Sequence, residues 1–277
     1  MIEGSLSWRK PGSLSFFGGL IMCLSCGFPD IAHGRKTPRR TFMLGAAAAA
    51  ALTIAGEANA KGRKSRGKEA RPTHSAPPKP ENVMTPDDAL ARLMDGNKRY
   101  QTGVARRHDF IAEREALVGG QNPFAGILSC ADSRIAPEYA FDSSRGDLFV
   151  CRVAGNFVNP DNVASFEFAV EVLKTPLLLV LGHEACGAVK SAMSSISDGT
   201  TLPGHLPSLV AALTPAVKAV AGRPGDQLEN ATRENVRLGV EALKSATPLL
   251  SAAVNEKRVR IVGGIYRLAN GAVEIFA

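Results

Sequence analysis

Ile127-Leu128-Ser129-Cys130-Ala131-Asp132-Ser133-Arg134 and, further on, Leu177-Leu178-Leu179-Val180-Leu181-Gly182-His183-Glu184-Ala185-Cys186-Gly187-Ala188-Val189 are two apolar runs, each ending at residues able to bind zinc. Continuous apolar runs this short, without alternation, read as strands buried on both faces, and such strands belong to a parallel sheet covered by helices. In open parallel sheets ligands bind at the carboxyl ends of the strands. Cys130 and the pair His183 and Cys186 both fall there, so residues 53 positions apart in the chain can meet at one metal.

Working outward, Ala125–Ser129, Leu148–Val153 and Leu177–Leu181 are the expected strands. Between the last two, Phe166, Ala169, Val170 and Leu173 recur at helical spacing, which makes Val163–Lys174 an amphipathic crossover helix. A βαβ unit of this kind has a fixed, right-handed crossover. Upstream, Thr85-Pro86-Asp87-Asp88 is a helix start: a hydroxyl cap, proline at the first position, and acids near the positive end of the dipole. That helix runs to about Gln101, and a second short one covers Ala112–Leu117. Leu206–Val220 and Asn230–Ala253 read as further helices, parted by Gly222-Arg223-Pro224-Gly225. Val259–Tyr266, the Asn270-Gly271 turn and Ala272–Phe276 form a closing hairpin.

The chain of 277 residues carries a net charge of +7, but the charge is not spread evenly. Residues 1–83 hold 13 Lys and Arg against 5 Asp and Glu, whereas 84–277 hold 20 against 21. The basic excess belongs to the leader and linker, so the folded body is not expected to bind nucleic acid. Thr37-Pro38-Arg39-Arg40-Thr41-Phe42-Met43-Leu44 resembles a twin-arginine export signal, followed by the alanine-rich run Gly45–Ala55 and by Ala58-Asn59-Ala60 at the cleavage position. That run falls short of the roughly 20 apolar residues needed to span a bilayer. The expectation is a cleaved leader over 1–60, no stable membrane anchor, and a bacterial periplasmic destination; residues 1–36 are long for such a leader, which makes Met22 an alternative start. Residues 61–83, rich in Lys, Arg and Pro, read as a basic disordered linker, and 84–277 as the zinc-dependent domain.

Two cysteines and one histidine are donors that zinc prefers, and three protein ligands leave a fourth tetrahedral position free. A closed structural site completed by Cys151 or Asp132 is the alternative. Cys151 itself reads as a small buried hydrophobe, Cys23 and Cys26 as incidental, and His33, His74, His108 and His205 as solvated.

Cys130-x-Asp132-x-Arg134 together with His183-x-x-Cys186-Gly187 resembles the β-class carbonic anhydrases, and the similarity extends over most of 85–277, including Arg152-Val153-Ala154-Gly155-Asn156 and the Glu167-x-Ala169-Val170 helix. The resemblance implies an α/β subunit with a mostly parallel sheet flanked by helices and an N-terminal helical arm. It also implies a homodimer or higher homo-oligomer with the site near the subunit interface. Cys130, His183 and Cys186 are the implied ligands of Zn2+, with Asp132 and Arg134 as a catalytic dyad. An arginine fork can hold a carboxylate bidentately and so keep Asp132 ionised and turned from the metal. The implied activity is the reversible hydration of carbon dioxide to bicarbonate and a proton by hydroxide formed at zinc.

In carbonic anhydrases with three histidine ligands the zinc water has a pKa of about 7. Two thiolates cancel the metal's formal charge, so activity here is expected to rise toward alkaline pH. The implied substrate pocket comprises Gln121 and Phe149, which match the family's plant-like branch, the backbone N–H of Gly187, and Phe168 where that branch carries a tyrosine. Ile127 stands where the bicarbonate-inhibited branch has tryptophan. Hydrolysis of carbonyl sulfide or carbon disulfide on the same scaffold is the rival enzyme reading, and a zinc-stabilised binding module the rival without catalysis.

Overall fold

The five strands β1 (Ala125–Ser129), β2 (Leu148–Arg152), β3 (Leu177–His183), β4 (Arg260–Tyr266) and β5 (Val273–Ile275) form one sheet in the order β2-β1-β3-β4-β5. The first four are mutually parallel and β5 turns back antiparallel on β4, as the Asn270-Gly271 signal requires. The computed structural model describes residues 77–277; the expected export leader and the first part of the linker lie outside the described residues.

Every residue of β1 and β3 is buried, in keeping with their continuous apolar sequences. The strand β2 departs from that expectation: it is an edge strand, and Leu148, Phe149, Val150 and Cys151 are only partly covered. Its run is as apolar as the others, but no second strand or helix of the described chain covers its open edge.

Among the described residues eight α-helices surround the sheet: α1 (Pro86–Gln101), α2 (Phe110–Ala116), α3 (Pro137–Ala140), α4 (Pro160–Glu171), α5 (Gly187–Asp198), α6 (Leu206–Ala219), α7 (Gln227–Ser245) and α8 (Leu249–Asn255). On one face Leu93 of α1 and Ala140 of α3 pack with Ile127, Leu177, Leu179 and Leu181. On the other, Phe166 of α4, Val236 and Val240 of α7 and Leu250 of α8 pack with Leu128, Leu178 and Val180. The alternate residues of β1 and β3 thus feed opposite cores, as a pleated strand demands. A third cluster sits over the carboxyl ends of the strands, where Cys130 and Cys186 are buried among Val189 and Ala192 of α5, Leu213 of α6 and Ala231 of α7.

The helix starts behave as their sequences require. Thr85 accepts from the Asp88 N–H at 3.2 Å, a cap contributing about 1 kcal/mol. Asp226 caps α7 by accepting from Leu228 and Glu229, so that helix begins at Gln227, earlier than expected. The single helix expected over Asn230–Ala253 is in fact two. Ala246 is already extended (φ −66°, ψ 106°) and Pro248 has no N–H to carry the ladder on, so α7 stops at Ser245 and α8 restarts at Leu249.

The linker also orders sooner than its composition implies. Lys79 is buried and donates through Nζ to Ser144 Oγ at 3.0 Å, to the Arg145 carbonyl at 2.9 Å and to Asp147. Asn82 bonds the Asn122 carbonyl and Asp147 at 3.1 and 3.2 Å. A linker reading by composition counts Lys79 as a solvated charge; a buried partner 68 residues away makes it part of the fold. His108 likewise is not free in solvent, since its Nδ1 lies 3.1 Å from Glu113 Oε1 and its ring stacks on Phe110.

Candidate metal centre

The ligand atoms of Cys130, His183 and Cys186 lie within 4.8 Å of one another, and all three residues are buried. The site is assembled from two loops. Cys130 opens the loop behind β1, and His183 is the last residue of β3. Cys186 follows as the N-cap of α5, after Ala185 in the left-handed region at φ +51°. This turn brings His183 and Cys186 onto one side.

The donors fit a zinc ion on their own chemistry. His183 Nδ1 lies 2.8 Å from the carbonyl oxygen of Glu184, and a carbonyl can only accept, so Nδ1 carries the proton. Nε2 then presents a lone pair, and it is buried with no hydrogen-bond partner. Such an orphan is costly unless a cation meets it. The Cys130 thiol is held below its usual range, first by the Cys186 thiol beside it and also by the Gly155 N–H, against burial. The Gly155 N–H donates to Cys130 Sγ at 3.2 Å. The neighbouring Cys130 sulfur and burial push the Cys186 thiol up, and a dication drawing on both sulfurs would displace protons from them.

Asp132 and Arg134 form the expected fork. Arg134 donates from Nε to Oδ1 at 2.9 Å and from Nη2 to Oδ2 at 2.7 Å, while its backbone N–H adds a third bond to Oδ1 at 2.9 Å. The guanidinium holds the Asp132 carboxyl far below the usual carboxylate range, against the opposing effect of burial. Asp132 Oδ2 still lies only 3.9 Å from His183 Nε2, so the carboxylate borders the ligand cluster while facing the arginine. Cys151 takes no part in the cluster; it lies on β2, where burial pushes its thiol up.

The implied pocket residues divide. Gly187 is exposed at the first turn of α5, beside Cys186, with open space around its Cα. Gln121 lies in the loop before β1, at the opposite end of the sheet from Cys130. The intervening five-residue strand is about 17 Å long. Phe149 pairs in register with Gly126, near that same end, and its ring meets Phe166 edge-on at 6.5 Å. Phe168 is 47% exposed on α4. A single chain therefore does not bring Gln121 or Phe149 to the ligand cluster.

Two contributions had no reading in the sequence. Arg152 bridges the loop behind β1 by donating to the carbonyls of Cys130, Asp132 and Ile135 at 2.9, 2.7 and 2.9 Å. The Arg152–Asn156 motif marks the position, but a guanidinium serving backbone carbonyls leaves no side-chain pattern to read. Gly155, at φ +83°, turns its N–H toward Cys130, and a Cβ there would meet Leu213 at 2.9 Å.

The family model for carbonic anhydrase matches residues 125–273, which contain all three ligands. Carbonic anhydrase 2 of Mycobacterium tuberculosis is 36% identical over 188 residues, covering 67% of this chain and 90% of that protein. The carbonic anhydrase of Mycolicibacterium smegmatis is 35% identical over 193 residues, covering 69% and 93%. Among solved structures, the β-carbonic anhydrase CcaA superposes with a TM-score of 0.53 at 28% identity, over 68% of this chain and 95% of that one. A tetrameric β-carbonic anhydrase of Sordaria macrospora shares the fold, with a TM-score of 0.54 at 24% identity over 69% and 93%. With the Cys130, His183 and Cys186 cluster at the strand ends and the Asp132–Arg134 fork beside it, the chain belongs to the β-class carbonic anhydrases.

Proposed function

We propose that the protein hydrates carbon dioxide reversibly to bicarbonate and a proton, as a homo-oligomer in which each subunit completes its neighbour's substrate pocket. The observation that carries the activity is the buried three-donor cluster with an ionised carboxylate at its rim. Cys130, His183 and Cys186 would hold Zn2+, which when bound supplies Lewis acidity and lowers the pKa of a water toward neutrality. Asp132, acceptor-only while ionised, takes a hydrogen bond from the nucleophile and so orients the lone pair that attacks carbon. Arg134 satisfies both Asp132 oxygens and keeps the carboxylate off the fourth position. The N–H of Gly187, at the positive end of α5, is placed to hold a bicarbonate oxygen.

The oligomer follows from what one chain leaves uncovered. No residue of α2 is buried, and Phe110 and Ile111 on it are 64% and 63% exposed. With Tyr139 of α3 and Leu148 of β2, Phe110 lines an apolar cavity of about 700 Å3 beside the open edge of the sheet. A twofold axis at that edge would set two β2 strands antiparallel, bringing the Phe149 end of one chain alongside the Cys130 end of the other. That arrangement would supply the Gln121 and Phe149 that a single chain keeps away from its own ligands, as in the plant-like branch. Light scattering should give a dimer or a multiple of it, whereas an active monomer would contradict the shared pocket.

For the leader, Arg39 and Arg40 before an alanine-rich run support export by the twin-arginine route to the periplasm. The mature chain should appear in the periplasmic fraction of a bacterial host and be retained in the cytosol when both arginines become lysine. The activity is tested by stopped-flow hydration of carbon dioxide by the zinc-loaded protein, compared with sulfide release from carbonyl sulfide and carbon disulfide. Hydration should dominate and rise toward alkaline pH. Faster turnover of either sulfur analogue would overturn the reading.

A further inference from the structure

We propose that Arg267 is a positioning residue for the metal centre, acting through Glu184 to fix the turn that carries His183 and Cys186. Glu184 sits between the two ligands and is held at every polar group it has. Its carbonyl accepts from His183 Nδ1 at 2.8 Å, and its N–H donates to the Tyr266 carbonyl at 3.1 Å. Its carboxylate accepts from Arg267 Nη1 at 3.1 Å through Oε1 and from the Leu268 N–H at 2.9 Å through Oε2.

Arg267 is in turn immobilised. Its guanidinium meets Glu229 of α7 at 3.1 and 3.0 Å and Glu274 of β5 at 2.9 and 2.7 Å. Its N–H donates to the Ala272 carbonyl at 2.8 Å, and its own carbonyl accepts from Gly271 at 2.8 Å. A side chain tied to α7, β5 and the hairpin turn cannot follow Glu184 if the turn moves; it restrains it.

The turn needs that restraint. Ala185 carries a Cβ at φ +51°, a conformation that persists only where the surroundings over-determine it. Directly after it, Cys186 is an N-cap without a side-chain capping bond. The Glu184 clamp is the contact that fixes the backbone on the other side of Ala185. It also sets which nitrogen of His183 faces the cluster, because the Glu184 carbonyl that holds Nδ1–H is part of the same clamped residue.

The proposal rests on the zinc reading above, and its test separates the two. Zinc release from the fully loaded full-length protein to excess chelator is followed in wild type, Glu184→Ala, Glu184→Gln, Arg267→Gln and Arg233→Gln. Arg233 pairs with Glu229 and Glu274 at 2.7 Å each but does not touch Glu184, so it reports on the ion network alone. Glu184→Ala and Arg267→Gln should release zinc about 10- to 100-fold faster, the range expected for residues that orient a ligand from behind. Glu184→Gln keeps an acceptor for the Leu268 N–H and should fall between, while Arg233→Gln should match wild type. KM for carbon dioxide should stay unchanged in all variants. Should Arg267→Gln fail to fold, Glu184→Ala decides alone, since it leaves Arg267 with its other two carboxylates. Wild-type release rates in Glu184→Ala, or an equal acceleration in Arg233→Gln, would overturn the clamp while leaving the zinc site standing. A wild-type protein that takes up no zinc would overturn the zinc reading itself, and the clamp with it.

Discussion

The two loops that make the metal centre are both braced by arginines, but in opposite ways. Behind β1, Arg152 holds the loop from Cys130 to Ile135 through three backbone carbonyls, and Arg134 holds the Asp132 side chain. Both guanidiniums are open to solvent. Behind β3, the turn from His183 to Cys186 is braced through Glu184 by Arg267, whose side chain is 18% exposed and shared among three carboxylates. The first loop contributes one ligand and the carboxylate that orients the nucleophile. The second contributes two ligands and no group that reacts. Chemistry and metal retention are thus divided between a solvent-facing loop and a turn anchored to the hairpin and α7.

That division breaks most visibly at a ligand. Cys186→Ser replaces a thiolate by a hydroxyl that stays protonated at neutral pH, so zinc content by atomic absorption should fall close to zero and hydration with it. Normal stoichiometry would remove Cys186 from the ligand set. On the other loop, Asp132→Asn should separate the two roles. Zinc should remain at full stoichiometry while kcat drops by about 100-fold, as expected when the reacting group loses its orientation. Full-speed hydration in that variant would make the fork structural.

A smaller effect is expected at Arg152. Arg152→Gln removes donors from three carbonyls on the solvent side, where water can partly replace them, so the cost should be about 1 kcal/mol. In a domain of this size that lowers Tm by roughly 2–4 °C by calorimetry. An unchanged Tm would mean that the loop holds its shape without the bridge.

The smallest expected effect is a null result with a definite sign. The folded pKa of Asp132 is depressed by Arg134, so the pair's contribution to stability is present above the unfolded carboxylate value of about 3.9 and is lost as pH falls through the folded value. Between pH 5 and 9 the Tm difference between wild type and Arg134→Gln should therefore be flat. A step within that window would place the Asp132 titration where turnover occurs.

The contrast between the loops also explains how much was legible in the sequence. The β1 loop was readable because its parts are close together: Arg134 lies two residues past Asp132, and both follow an apolar run that ends at Cys130. The ligand pair of the β3 turn was readable from spacing alone. The brace behind that turn was not, because Glu184 and Arg267 are 83 residues apart and each looks like a solvated charge in its own segment. Lys79 looks solvated in the sequence for the same reason, its partner Asp147 lying 68 residues on. Hydrophobic period located the strands well but not their exposure: nothing in Leu148–Arg152 distinguishes an edge strand from a central one until the strand order is known. Pro248 marks the break between α7 and α8 in the sequence, but the helical period runs on either side of it and hides the interruption. Gln121 and Phe149 show the limit of motif matching, since a match fixes identity and not the end of the sheet at which the residue falls.

Arg134, by holding Asp132, would leave the fourth position of the metal open to small molecules. An azide titration of the cobalt(II)-substituted protein, followed by visible absorption, tests it most directly. A saturable shift of the metal's bands is expected, with Asp132→Asn behaving alike because Asp132 is not a ligand. A spectrum of four-coordinate cobalt that does not respond to azide would contradict it.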